Sequence, residues 1–358
     1  NNSNLRGEEI HIFAAGVAKD VQTLDGKTYT GTQGDVVNVN NTNLIADNSA
    51  DAKATMTHNV DHDSTTISAL IGGYSKSNID VNDNVGVNVI NTDIKANAIN
   101  LDTQVGGKLY GLAIEGGVNA IGQFGISYAY HSGESFINIS KGDAEGAETV
   151  LEAVSGMHVS VTDTTSTEAE VVGAGVNVLA GSNLMSEATD ESNATISITG
   201  STLGLTELSH KAQDEETHEQ VDVANAITIS TDKQNKVKSS MLFGGFNVIQ
   251  AMDNYANARV GKEGADGIAN AGFNQSDINI GEGNTFIAKA INVGTNNAAM
   301  VEAGADYEGV RVYDFNGADP KAEAYGTSRV SIASGNSFYT NDLFVDAKVT
   351  KQKEPEQK

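Results

Sequence analysis

Two histidines four residues apart, His58 and His62, share the string His58-Asn59-Val60-Asp61-His62-Asp63 with two aspartates. Imidazole and carboxylate are zinc ligands, but at this spacing they converge only on one helix face or on aligned strands. The surrounding residues read as a polar, exposed insertion, so solvated side chains are expected and no metal. His210 and His218, flanked by acidic residues, are read the same way. The string Asp80-Val81-Asn82-Asp83-Asn84 offers oxygens of the kind Ca²⁺ takes, yet neither a Gly-Gly-x-Gly-x-Asp repeat nor a 12-residue loop closed by Glu accompanies it.

Paired carboxylates could hydrolyse glycans, but 47 acidic residues guarantee chance neighbours, so their spacing selects none. There is no Gly-x-Ser-x-Gly elbow, no His-Glu-x-x-His and no phosphate loop. The sequence therefore nominates no catalytic, cofactor-binding or metal residue, no cofactor, and no enzyme. A polysaccharide lyase or hydrolase built on a β-helix is the enzymatic alternative.

The elements that would position any such residues follow from composition and repeat. The 358 residues include 38 Gly, 2 Pro, no Trp and no Cys. Val, Ile and Ala dominate the apolar set, which suits closely stacked pleated strands. Without Cys there is no disulfide framework, thiolate zinc site or thiol nucleophile. A net charge of −25 repels phosphate backbones and anionic lipid, which argues against nucleic-acid partners and membrane adsorption. No run approaches the 18 apolar residues of a membrane-spanning helix. The opening Asn1-Asn2-Ser3-Asn4 lacks the charged and apolar regions of a signal peptide, so an exported chain is expected here as a mature or internal segment.

Three blocks recur. The first pairs small residues with apolar ones and often Asn: Ala15-Gly16-Val17, Gly72-Gly73-Tyr74, Gly116-Gly117-Val118-Asn119, Ala174-Gly175-Val176-Asn177, Gly244-Gly245-Phe246-Asn247 and, degenerate, Glu308-Gly309-Val310. The second is a short alternating strand about 20 residues later: Val37-Asn38-Val39, Ile137-Asn138-Ile139, Ile196-Ser197-Ile198, Ile278-Asn279-Ile280 and Val330-Ser331-Ile332. Ile278 falls late, consistent with an insertion around Gly261 to Ala271. In the second unit Ile94 has the right offset from Tyr74 but a poor match. The third block comprises Leu44-Ile45, Ile99 to Leu101, Val150-Leu151, Leu203 to Leu205, Phe286-Ile287 and Phe338-Tyr339, several introduced by Asn- or Gly-containing turns.

No single unit can bury its apolar face, whereas a stack of them can. The expected fold is an all-β parallel β-solenoid, a right-handed β-helix of about six irregular units with loop insertions. It forms one segment over 1–350, followed by a polar linker or tail at 351–358. Each unit is expected to be one wide coil, because the motif recurs once per unit. The near-continuous apolar runs Val171 to Ala180 and Met241 to Val248 predict a first strand covered on both faces. Variable regions are expected at Ala46 to Thr66, Gly156 to Thr167 and Glu207 to Lys236, the last carrying Asp214-Glu215-Glu216 and the most helix-permissive. Asn88, Asn119, Asn177 and Asn247 share a context that a parallel stack would turn into an amide ladder.

The Gly-Val-Asn-Val-Ile-type strands (Gly86 to Ile90, Gly175 to Leu179), followed by Ile-Asn-Ile with Gly-Asn, resemble the large filamentous adhesins of Gram-negative anaerobes, of leukotoxin and filamentous-haemagglutinin type. The resemblance covers most of residues 10 to 350. It implies a secreted protein at the bacterial surface, exported through an outer-membrane translocator by two-partner secretion or as an autotransporter. This segment would be shaft or binding surface for a host cell-surface protein or glycan, or for bacterial neighbours, in a virulence setting. A toxin or immune-modulating exoprotein on the same scaffold is the alternative. Neither a secretion domain nor a C-terminal barrel is recognisable, which leaves the export route open.

Overall fold

β-Branched residues at alternate positions favour extended backbone. In a computed structural model the described residues form 24 strands and no helix. The structure describes residues 52–68, 74–120, 122–143, 146–179, 181–204, 226–250, 254–263, 273–314 and 318–350, together with the backbone of strands within 3–46 and at 351–357. The strands form a 13-stranded and an 11-stranded sheet. Among the described residues pairing is parallel, except between Asp20–Thr23 and Gly26–Gly31.

The recurring blocks become columns of directly paired residues. Third-block positions align as Leu5, Leu44, Ile94, Leu151, Leu203, Phe286 and Phe338 in the larger sheet. Second-block positions align as Val37, Val87, Ile137, Ile196, Ile278 and Val330 in the other. The first block aligns as Gly117, Gly175, Gly245 and Gly309. Successive copies of each block are therefore hydrogen-bonded neighbours, and one unit is a single wide pass through both sheets.

Register also corrects several assignments. Ile94 belongs to the third block, and Val87-Asn88-Val89 is the missing second-block copy. Ile99 to Leu101 lie beyond the third block, paired with Ala52 to Ala54. Tyr74 pairs with Phe124 and Val17 with Asn59, so neither belongs to the column of Val118. A local Gly signature recurs at both places, but only pairing defines equivalence between strands.

Two supposed insertions are sheet. Residues Ala52–Asn59 and His62–Ser68 are strands pairing with Asp93–Asn119, and 156–167 lies inside the strand Thr149–Asn177. Residues 205–225, including His210, His218 and Asp214 to Glu216, fall outside the described residues, as do 264–272 of the expected insertion. Residues 226–236 belong to the strand Ala226–Gln250. The last strand, Asp342–Gln357, pairs beside Ala290 to Ala305, and 351–357, expected as a linker or tail, continue that pairing.

Strict alternation sends one residue inward and the next outward along each strand. The strand Asp93–Asn119 has 27 residues and Thr149–Asn177 has 29, long enough that they must curve to enclose a core. Inward residues are Val, Ile, Leu, Ala and Met at the start of each pass, for example Ile99, Leu101, Met157, Val159, Ile227 and Ile229. Aromatic rings stack across neighbouring strands: Phe286 on Phe338 at 4.9 Å and 4°, Phe243 on Tyr307 at 4.8 Å and 25°. Such pairs add about 0.5–1.5 kcal/mol each beyond their buried area.

The first block is not covered on both faces. Val118, Val176, Phe246 and Val310 align in one outward row and are 62%, 39%, 37% and 58% exposed. Its glycines answer a different need. At Gly175 (φ +155) an added Cβ would sit 2.0 Å from the Gly117 carbonyl oxygen, and at Gly245 (φ +148) 2.1 Å from that of Gly175. Neighbouring backbones approach too closely there for any side chain.

Candidate functional site

Along each pass the inward side chains read apolar, then polar, then apolar. In Thr149–Asn177 the order is Met157, Val159, Val161, then Asp163, Thr165, Thr167, then Ala169 and Val171. In Ala226–Gln250 it is Ile227, Ile229, then Thr231, Lys233, Asn235, then Val237. Register stacks these into a column of His58, Val105, Asp163, Lys233 and Asn297. A seam of buried polar groups thus runs through the stack.

At its centre Lys233, fully buried, reaches Asp163 Oδ2 at 3.0 Å and Asp190 Oδ1 at 3.6 Å. His131 Nδ1 lies 3.1 Å from Asp190 Oδ2, an oxygen that also accepts from Thr165 Oγ1 and Asn235 Nδ2, each at 2.9 Å. The Ser192 amide donates to Asp190 Oδ1 at 3.0 Å, and its hydroxyl bridges Lys233 and the two aspartates. Burial alone would raise the Asp190 carboxyl. The Lys233 ammonium, the His131 charge and the bonds from His131 and Ser192 outweigh it and hold Asp190 well below the usual carboxylate range. Burial likewise disfavours protonated His131, but Asp190 and then Asp163 override that and raise it. With His131 protonated, two carboxylates face two cations and the charge closes internally.

His58 is also buried, with Nε2 2.7 Å from Asp83 Oδ2 across the two sheets. The reading of His58 and His62 as solvated residues is therefore overturned: both are buried, because their strands alternate inward at these positions. The Asp80 to Asn84 string is likewise split by alternation, with Asp83 inward and Asn82 and Asn84 exposed. Among the described residues no group of three or more His, Asp or Glu is arranged to hold a metal.

Glu115 is a second buried charge. It occupies the column of Ser68, Glu115, Gly173, Phe243 and Tyr307 beside the apolar cluster of Ala113, Val171 and Leu184. Neither carboxyl oxygen has a hydrogen-bond partner among the described residues. Burial pushes its carboxyl up to about 7, with the nearby Ser75 hydroxyl pulling the other way.

The amide ladder forms for three of its four expected members. Asn119 Nδ2 donates to Asn177 Oδ1 at 3.0 Å, and Asn177 Nδ2 donates to Asn247 Oδ1 at 2.7 Å and to Gln123 Oε1 at 3.2 Å. Asn88 instead sits in the other sheet, where it accepts from Asn138 Nδ2 at 3.3 Å.

The Lys233 cluster and the amide ladder are enclosed and hydrogen-bonded across strands, and polar groups paired in this way fix register. The outward faces carry cross-strand pairs such as Tyr110 to Glu170 at 2.6 Å, Arg259 to Glu191 at 3.1 Å and Lys108 to Glu168 at 2.7 Å. Among the described residues, the outer face of the larger sheet over 228–232, 292–296 and 344–348 carries a depression of about 460 Å³ that includes Gly294. Sequence reading missed Asp163, Asp190, His131 and Lys233. Their signal, a charge at the inward phase of an apolar alternation, becomes visible only once the phase is known.

The chain matches no family model, no curated protein and no solved structure. No helix among the described residues is long and apolar enough to cross a membrane, which leaves strand-built crossings unaddressed.

Proposed function

We propose that this chain is a right-handed β-solenoid of about six units that serves as shaft and binding segment of a secreted bacterial surface adhesin. Right-handed winding follows from the near-universal hand of parallel crossovers in one sheet. The observation that supports the stacked geometry is the unbroken column of seven paired residues from Leu5 to Phe338, the first of them preceding the six recurring units. Such a stack extends along one axis at about 4.8 Å per unit, near 30 Å for six, and presents long rows of outward side chains. A strongly acidic surface keeps such a particle dispersed. Those are the requirements of a spacer that displays contact surfaces away from a cell.

The test has two arms. Solution scattering should return a short, wide prism about 30 Å along its axis, and a roughly threefold longer rod would sink the wide-coil geometry. Beads coated with the chain should attach to epithelial cells or to bacteria above bare-bead controls, and no attachment to either would sink the adhesin reading.

A further inference from the structure

Three neighbouring strands present a three-by-three grid of outward side chains on the larger sheet. Its rows are Thr228, Asn292 and Phe344; Ser230, Gly294 and Asp346; and Asp232, Asn296 and Lys348. The central position is glycine, and a side chain built on Gly294 would meet nothing within 4 Å. The hollow of about 460 Å³ over it falls within the range of small-ligand sites. Strand spacing and pleat make it about 10 by 13 Å between opposite rims.

Its chemistry is specific. Phe344 is 59% exposed at one rim, an aromatic face set among hydroxyl, amide and carboxylate groups. Asp232 is fixed in place, with Oδ1 accepting from Asn296 Nδ2 at 2.8 Å and Oδ2 from Gln234 Nε2 at 2.7 Å. The Asn296 amide, paired with Asp232, forms part of the floor. An aromatic platform beside short, strand-mounted acceptors and donors suits a pyranose ring, whose C–H face is apolar and whose rim carries vicinal hydroxyls. Two carboxylates, Asp232 and Asp346, against one cation, Lys348, disfavour anionic sugars.

We propose that this hollow is a binding site for an uncharged saccharide, with the ring against Phe344 and its hydroxyls bonded to Asp232, Asn292 and Asp346. It deepens the adhesin reading and rests on it for its biological setting. The test uses the full chain with lactose, N-acetyllactosamine and chitobiose, and sialyllactose as the anionic comparison, read by saturation-transfer NMR and titration. Millimolar binding is expected for at least one neutral sugar, with sialyllactose weaker. Phe344→Ala should weaken it at least about tenfold. Gly294→Val, whose Cβ meets no atom within 4 Å and whose methyls intrude on the centre of the hollow, should weaken binding at least about tenfold while leaving the circular dichroism unchanged. Absence of binding by all three neutral sugars, or undiminished binding by Gly294→Val, would overturn the site. Cell attachment retained in Gly294→Val would sink the site's role and leave the adhesin reading standing. Sugar binding without attachment of the native chain would do the reverse.

Discussion

Replacing Lys233 with Met tests whether the buried seam is an electrically closed unit. The side chain is similar in length, so packing changes little while the charge is lost. Lys233 faces both Asp163 at 3.0 Å and Asp190 at 3.6 Å with no solvent access, so two buried carboxylates would be left with one imidazole. Removing one partner of a buried ion pair costs about 3–5 kcal/mol, and the shared position of Lys233 places it toward the upper end. The double variant Lys233→Met/Asp163→Leu removes the orphaned carboxylate too, while Asp190 keeps His131, Thr165, Asn235 and Ser192. It should recover most of the loss, to within about 1–2 kcal/mol of the native chain. Urea denaturation followed by far-ultraviolet circular dichroism reads both, with hydrogen exchange over 157–165 and 229–237 locating the effect, since stacked units can open locally. The pH dependence gives an independent sign. In the native chain Asp190 is held below the usual carboxylate range, so its contribution is present at neutral pH and lost only as strong acid protonates it. In Lys233→Met the orphaned carboxylates rise instead, so the gap to the native chain should narrow as pH falls from 7 toward 4. A cost under about 1 kcal/mol, or a double variant as unstable as the single one, would refute the electrostatic account.

Three other outcomes follow from particular contacts. Glu115, raised from 4.5 to about 7, binds more protons folded than unfolded, so it contributes fully below pH 4.5 and costs stability as pH rises through 7. That shift corresponds to roughly 3 kcal/mol, which relaxation lowers to on the order of 2; Glu115→Gln should flatten this slope in urea titrations between pH 4.5 and 7.5, and an unchanged slope would count against it. Asn177→Ala leaves Asn119, Gln123 and Asn247 each short of a buried partner and should cost about 2–3 kcal/mol in the same assay, whereas a loss below about 0.5 would show the ladder to be incidental. Gly175→Ala places a Cβ against the Gly117 carbonyl at positive φ and should destabilise by about 2 kcal/mol or more, seen as a lowered Tm, while Gly294→Val should leave Tm within about a degree.

Much of the architecture was legible because period-2 alternation and near-constant offsets are properties of the chain itself. The columns through Ile137, Ile196, Ile278 and Val330, and through Gly117, Gly175, Gly245 and Gly309, were present as spelled motifs before any pairing was known. The ladder of Asn119, Asn177 and Asn247 was legible for the same reason, since in-register stacking sets like beside like.

Phase and facing residues were not legible. Alternation states that neighbours point opposite ways without saying which way is in, so His58 read as solvated and the first block as doubly covered. The partners of Asp190 are drawn from three strands and a turn: His131, Thr165, Ser192, Lys233 and Asn235. Sequence separation carries no record of that convergence, because it arises from two sheets closing on each other rather than from one strand stacking on the next. The sequence by itself determined a stack of parallel strands and the side chains repeated along it. Only the tertiary structure decided which charges face one another in the interior, and where a hollow lies over Gly294 on the surface.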